Sequence, residues 1–278
     1  MKNVKTINNL IYTKTWLRIW KPFKSTYVVT ILLISHRQLP AISSRAIHIA
    51  GTKGKGSTCA MVESVVRSQG YTTGLFTSPH LIHVRERIRI NGKSISEEEF
   101  TKYFWLVWDS IESLPPTNFF KYLTLMTFKV FDDLKLDCPI FEVGIGGRTD
   151  ATNVLTQPVV CGITSLGYDH MDVLGSTLHE IATEKAGIMK LGTPCVSVPQ
   201  LPEAWSALQA VADKIPVTLV KTSPFQSYMD SFVSKEVKFG HSPYLMENAS
   251  LAIALSDIWL FNHLKREPHP LKTNDTYP

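Results

Sequence analysis

Ala46-Ile47-His48-Ile49-Ala50 runs directly into Gly51-Thr52-Lys53-Gly54-Lys55-Gly56-Ser57-Thr58, and beyond it Met61, Val62, Val65 and Val66 recur at helical spacing. A buried strand, a glycine-rich turn with lysines and hydroxyls, then a helix: that order decides the fold. Small residues let backbone N–H groups turn inward around an anion, the helix start adds a favourable dipole, and a lysine supplies full positive charge. Thr52, Lys53, Gly54, Lys55, Gly56 and Ser57 are therefore the candidate phosphate-binding residues. Their spacing, Gly51-x-x-Gly54-Lys55-Gly56-Ser57, departs from the common GxxxxGK[ST] pattern. A flexible basic loop is the bland alternative, but such a loop has no need to lie between a buried strand and a helix.

Outward from this stretch, short apolar runs alternate with helical patterns, the signature of a mostly parallel α/β sheet with helices on both faces. The strands fall at Ala46–Ala50, Gly74–Thr77, Pro139–Val143, Val159–Thr164, Pro194–Val198 and Pro216–Val220, most of them continuous apolar runs expected to be buried on both sides. Between Arg85 and Ile95 the alternation around Asn91-Gly92 predicts a type I′ hairpin, a small antiparallel addition. Ser96 and Glu99 form a capping box ahead of a helix that presents Phe100, Tyr103, Phe104, Val107, Trp108 and Ile111 on one face. Phe119–Leu134 is apolar nearly all round and so belongs between layers, after a break at Pro115 and Pro116. Further helices fit Thr177–Lys190, Pro202–Lys214 and Met246–Leu264.

Composition is consistent with that fold. The 278 residues are 44% apolar and 19% charged, long enough to bury roughly 75% of the unfolded chain's surface without disulfides or a structural metal. Cys138, Cys161 and Cys195 lie in strand-like runs and Cys59 in a helix, with no CxxC pair, so all four are expected to be buried reduced thiols. A net charge of +5 is too modest to point to nucleic acid. Residues 1–50 nevertheless hold eight Lys or Arg and no acidic side chain before Glu63. A mitochondrial presequence is one cause of such a bias, though the preference for Lys over Arg counts against it, and a cytoplasmic protein is the main expectation. The uncharged run Ser25–Ser35 is shorter than the ~20 residues of a membrane-spanning helix. The chain is thus expected to act without membrane or nucleic acid, as a monomer on small molecules.

Two more segments carry chemistry. Glu142-Val143-Gly144-Ile145-Gly146-Gly147-Arg148-Thr149-Asp150-Ala151-Thr152-Asn153 fails as a dinucleotide fingerprint, because Thr149 stands where a third glycine is needed. Glu142 instead closes a strand at the carboxyl edge of the sheet, where a carboxylate can hold Mg²⁺ near phosphates; an ion pair with Arg148 is its structural alternative. Ser165-Leu166-Gly167-Tyr168-Asp169-His170 brings Asp169 and His170 to the same edge, as metal or phosphate contacts. Lys185, from its own context, reads as a solvated helix residue.

Together G-T-K-G-K-G-S-T, F-T-S-P-H-L with R-E-R-I-R-I-N-G, E-V-G-I-G-G-R-x-D-A-T-N, the Asp-His pair and T-E-K-A-G-I resemble the folylpolyglutamate synthase branch of the Mur ligase superfamily, in order from about Ile47 to about Val198. The resemblance implies an ATP phosphate loop at Thr52–Ser57 and Mg²⁺ ligands at Ser78, Glu142 and His170. It makes Lys185 a carbamylated, anionic metal ligand, and adds a monovalent cation as a further ligand of the family. Ser78, Pro79 and His80, with Leu81, would lie near the folate, and Phe119 and Phe120 would line its pterin side unless they are core. The reaction implied is glutamate addition: the folate's terminal carboxylate attacks the γ-phosphate of ATP, and the amine of glutamate displaces phosphate from the acyl phosphate. Lys55, His170 and Lys185 would be its catalytic residues.

The sequence also departs from this pattern. Residues 1–45 are divergent, V-K-T-I-N-N-L being a faint echo of the family's folate-binding helical region. Ser242-Pro243-Tyr244-Leu245-Met246-Glu247-Asn248-Ala249 keeps the Asn of G-x-H-Q-x-x-N-A but lacks its His-Gln pair. The ATP-binding domain is expected over residues 46–265, a polar tail over 266–278, and the family's C-terminal domain to be missing, which predicts impaired ligase activity. A non-catalytic nucleotide-binding partner of the intact enzyme is the rival expectation, and dihydrofolate synthase the rival enzyme.

Overall fold

The computed structural model describes residues 39–111, 118–231 and 242–266. The sequence readings at Ser25–Ser35, at V-K-T-I-N-N-L, at Pro115 and Pro116 and over 267–278 lie outside them.

Strand β1 (Ile47–Ala50) is buried at every residue and lies at the middle of an eight-stranded sheet. Its parallel neighbours are β5 (Cys138–Glu142) and β6 (Val160–Ile163). With β2 (Thr73–Phe76), β3 (Ile88–Ile90), β4 (Lys93–Ser94), β7 (Cys195–Ser197) and β8 (Leu219–Lys221), the order is β4-β3-β2-β5-β1-β6-β7-β8. The chain thus leaves β1 toward β2 on one side and later fills β6 on the other. In such sheets ligands bind outside the strand carboxyl ends at the point where the order reverses. The hairpin forms as expected: Asn91 and Gly92 both have positive φ, 49° and 79°, as a type I′ turn demands, and β3 joins the sheet antiparallel to β2.

Period-two alternation divides the strands between cores. Ile47 and Ile49 pack with Leu75, Ile140 and Val160 against α2 (Lys55–Ser68) and α8 (Pro243–Arg266). Phe76 and Phe141 pack against α3 (Glu97–Ile111) and α4 (Phe119–Asp133). Ala50, Cys161 and Ile163 pack against α6 (Leu178–Ala186) and α7 (Pro202–Lys214). The short helix α1 (Leu39–Ser43) buries Leu39 and Ile42 in the same core as α4, so packing of this unit begins upstream of Ala46. The capping box at Ser96 is formed, and Asn118 caps α4 by accepting the Lys121 N–H at 2.8 Å. All four cysteines are buried free thiols.

Two elements differ from expectation. Strand β8 is an edge strand, exposed at Val220 and Lys221 rather than buried on both sides. Helix α6 ends at Ala186, four residues before Lys190. The next residue, Gly187, lies so close to Arg148 that a Cβ would stand 2.5 Å from the Arg148 Cα, so the helix gives way where another loop crosses it. No helix among the described residues is long and apolar enough to cross a membrane.

Candidate functional site

Four loops meet at the carboxyl edge: 51–54 after β1, 77–83 after β2, 143–150 after β5 and 164–170 after β6. Gly51 has φ 149°, and a Cβ there would sit 1.8 Å from Thr164 Oγ1 and 3.0 Å from its backbone nitrogen. Only glycine lets the turn press onto the end of β6. The amides of Thr52 and Lys53 both donate to Ser165 O, at 2.9 and 3.2 Å, and Thr52 Oγ1 exchanges hydrogen bonds with Gly167. These two amides are therefore committed to the neighbouring loop rather than turned into a cradle. What remains for an anion is the start of α2, where Gly54 (φ 85°) caps the helix. The first amides of a helix have no acceptor within it. Lys55 is the first residue of α2, its Nζ 3.4 Å from Thr52 O.

Glu142 faces this helix start. It is 4% exposed, and a Cβ on Gly56 would lie 3.5 and 3.6 Å from its two carboxylate oxygens. Oε2 accepts the Ser78 N–H at 2.8 Å. Burial pushes its carboxyl above the ordinary range, opposed by the Ser78 N–H, Lys55 and Arg87. The expected alternative, an ion pair with Arg148, does not form: the Arg148 guanidinium pairs with Glu184, and its amide donates to Glu184 O at 2.8 Å.

Lys185 overturns its own sequence reading. It is 2% exposed, and Nζ donates to Gly51 O at 2.8 Å beneath the loop. Burial, and then Lys55, push its ammonium down to about 8, against the pull of Asp169 and Asp150. His170 stays at the surface beside Asp169, in a left-handed conformation (φ 49°) that starts a short helix α5 (Met171–Leu174). No three His, Cys, Asp or Glu side chains stand together as a ready metal cage among the described residues. Glu142 is oxygen donor chemistry suited to a hard divalent cation. Lys185 as an ammonium is not.

The loop after β2 opens with Ser78-Pro79. Glu86 gathers it by accepting the amides of Leu81, Ile82 and His83, bonds that hold its carboxyl down at about 2. His80 Nδ1 accepts from Arg87 Nε at 2.9 Å, and the Arg87 guanidinium stands over the Phe119 ring, 5.5 Å from its centroid. Phe120 packs under Gly144, where a Cβ would be 2.7 Å from the ring, and tilts against Phe76 at 5.6 Å. Both phenylalanines are only partly buried, so core and site roles meet in them.

Beside the loop a cavity of about 490 Å³ is lined by Thr52–Gly54, Ser165–Tyr168, Tyr244, Glu247 and Asn248. Asn248 is held against the turn, for a Cβ on Gly54 would lie 2.2 Å from its Oδ1. Sequence reasoning also passed over Asp150, Thr152 and His48. Asp150 Oδ1 accepts the amide and hydroxyl of Thr152, and Oδ2 accepts the amides of Gly144 and Ile145. The available signal was a histidine inside an otherwise apolar strand.

Comparison with known proteins identifies the family and the fold. The Mur ligase middle domain matches residues 49–247. The chain belongs to the Mur ligase family. A folylpolyglutamate synthase of Arabidopsis thaliana is 48% identical to this Mur ligase chain over 224 residues, which cover 79% of the chain and 39% of that relative. The chain thus spans well under half the length of the curated relative it matches. A solved FPGS–AMPPCP–folate complex superposes with a TM-score of 0.78 at 26% identity, over 96% of this chain and 68% of that one. A bifunctional folylpolyglutamate synthase/dihydrofolate synthase, solved with Mn, AMPPNP and L-glutamate, superposes with a TM-score of 0.73 at 27% identity, over 92% and 61% of the two chains. The mostly parallel sheet with helices around it is the fold of these solved relatives.

Proposed function

We propose that this chain binds ATP with a divalent cation, Mg²⁺ by preference, and provides the phosphoryl-activating half of a ligase that adds glutamate to the terminal glutamate of a reduced folate. The observation that carries this is the buried Glu142 carboxylate facing the helix start that bears Lys55, with a second lysine, the buried Lys185, directly under the same turn. A buried carboxylate that accepts, among the described residues, only the Ser78 N–H, opposite an anion-binding helix start, is a place for a cation and a polyphosphate together. The relatives support the chemistry, since those solved hold AMPPCP with folate, or AMPPNP with Mn and L-glutamate.

A carboxylate does not condense with an amine in water, because oxide is too poor a leaving group. Attack of the folate carboxylate on the γ-phosphate of ATP forms a C–O–P linkage and releases ADP. The glutamate amine then forms the amide bond as phosphate departs. Catalysis of the first step is positioning and charge neutralisation: Lys55 and the amides at the start of α2 would take up charge as the β,γ-bridge breaks. Glu142, Ser78 and His170 would hold the divalent cation, which when bound offsets phosphate charge. Carbamylation, the addition of CO₂ to a neutral amine, would turn Lys185 from a misfit cation into an anionic ligand. Its lowered pKa favours the neutral amine that this needs. The cavity beside Tyr168 and Tyr244 would take the base and ribose, and Phe119, Phe120 and the Ser78–His80 loop the folate.

The test is folate- and glutamate-dependent ADP release by the purified chain, compared with Lys55→Ala. Release by the wild type and at least a hundredfold less by the variant is expected. Equal rates would dismiss Lys55. ATP binding without any release would leave the chain a nucleotide-binding partner rather than a ligase.

A further inference from the structure

Strand β1 carries two polar features. At its end is the phosphate loop; within it is His48, wholly buried between Ile47 and Ile49. His48 Nε2 is 2.7 Å from Thr152 Oγ1. The Thr152 hydroxyl gives its one proton to Asp150 Oδ1 at 2.6 Å, so Nε2 must be the donor to the hydroxyl oxygen. That fixes the tautomer and leaves Nδ1 bare, and it is without a hydrogen-bond partner among the described residues. Burial, helped by Lys190, pushes the imidazole down to about 3, so the ring is neutral at physiological pH. Every proton in this relay points toward Asp150. The other Asp150 oxygen accepts Gly144 N at 3.1 Å and Ile145 N at 3.2 Å, the turn that follows Glu142 in the chain.

We propose that His48 is a positioning residue: acting through Thr152 and Asp150, it holds the Gly144–Ile145 turn, and with it Glu142, in register with the phosphate loop borne by the same strand. One strand thereby ties the cation-holding loop to the phosphate-holding loop across the β1–β5 pair. A histidine serving only as core filler would need a partner for its N–H and nothing more. Here the series of hydrogen bonds ends on two amides close to the proposed ligand, and a leucine in place of His48 would avoid the bare Nδ1 altogether. The inference rests on the assignment of Glu142 to a divalent cation.

The experiment uses the full 278-residue chain as wild type, His48→Leu, Thr152→Val and His48→Gln. Two quantities are measured: amide hydrogen exchange at Gly144 and Ile145 without ligand, and the gain in ATP affinity on adding Mg²⁺. His48→Leu and Thr152→Val should speed exchange at both amides about tenfold, with α2 unchanged, and cut the Mg²⁺-dependent gain about fivefold. Both effects follow from losing one or two relay hydrogen bonds. His48→Gln, which keeps a side-chain N–H donor, should recover most of both. Thr152→Val carries the test if His48→Leu does not fold. Unchanged exchange in Thr152→Val would overturn the proposal, and so would faster exchange with an unchanged Mg²⁺ gain, which would mean that the relay holds the turn without positioning Glu142. Absence of ATP binding by the wild type would sink the nucleotide reading by itself. The exchange arm, needing no ligand, would still show whether the relay holds the turn.

Discussion

Replacing Lys185 by Met should stabilise the ligand-free chain at neutral pH, although it removes a hydrogen bond. The ammonium is 2% exposed and donates to Gly51 O at 2.8 Å. Burial is the main cause of its fall from an ordinary 10.5 to about 8, with Lys55 adding to it. Such a fall corresponds to about 3 kcal/mol of destabilisation of the charged form. Leaving Gly51 O without that donor costs about 1–2 kcal/mol, so a net gain of about 1–2 kcal/mol is expected at pH 7. The sign with pH follows from proton uptake. Below pH 8 both folded and unfolded chains carry the proton and the penalty is complete. Between about 8 and 10.5 only the unfolded chain takes it up, so wild-type stability rises with pH across that window. Urea unfolding of wild type and Lys185→Met at pH 7 and pH 10, in CO₂-free buffer, measures this. The stability difference should move by about 2–3 kcal/mol against the variant between the two pH values, so that its advantage at pH 7 is gone or reversed at pH 10. A stability difference that does not move with pH, or a variant much weaker at pH 7, would refute the reasoning and mean that Lys185 is not charged and buried as described.

Three other outcomes follow from the geometry. Glu142→Gln should leave metal-free ATP binding nearly intact but weaken the Mg²⁺-dependent gain about tenfold or more, as removing one charge-assisted contact does; calorimetry with and without EDTA separates the two. Because burial raises the Glu142 carboxyl, the folded chain keeps that proton to higher pH than the unfolded one. Stability therefore falls as pH rises through the carboxylate range, and Glu142→Gln should remove that slope in acid unfolding curves. Gly51→Ala combines a positive φ with a Cβ overlapping Thr164, so a loss of about 2–4 kcal/mol is expected in thermal or urea unfolding.

Much of this architecture is legible from local chemistry. Asn91-Gly92 sets its own turn, the Ser96–Glu99 cap starts its own helix, and the stretch after Asn118, apolar nearly all round, belongs between layers. The glycine-rich turn is equally plain, yet not its use: Thr52 and Lys53 give their amides to Ser165, a residue that only tertiary structure brings near. Lys185 was hidden for the same reason. Its helix, Leu178–Ala186, is short and flanked by charge, and nothing in T-E-K-A-G-I by itself says that the lysine points inward under Gly51. Strand β8 reads as apolar because Val217, Leu219 and Val220 are, but being last in the sheet it has one neighbour and stays exposed. His48 lies in plain view in an apolar strand, and its partner Thr152 is 104 residues away.

The central claim is that the turn after Ala50 and the carboxylate of Glu142 together take the phosphates of ATP with a divalent cation. Calorimetric titration of ATP into the folded chain, with Mg²⁺ and with EDTA, tests it most directly. Saturable uptake that Mg²⁺ strengthens, and that Lys55→Ala weakens at least tenfold, is predicted. No uptake by the folded wild type, or uptake indifferent to both Mg²⁺ and Lys55, would contradict it.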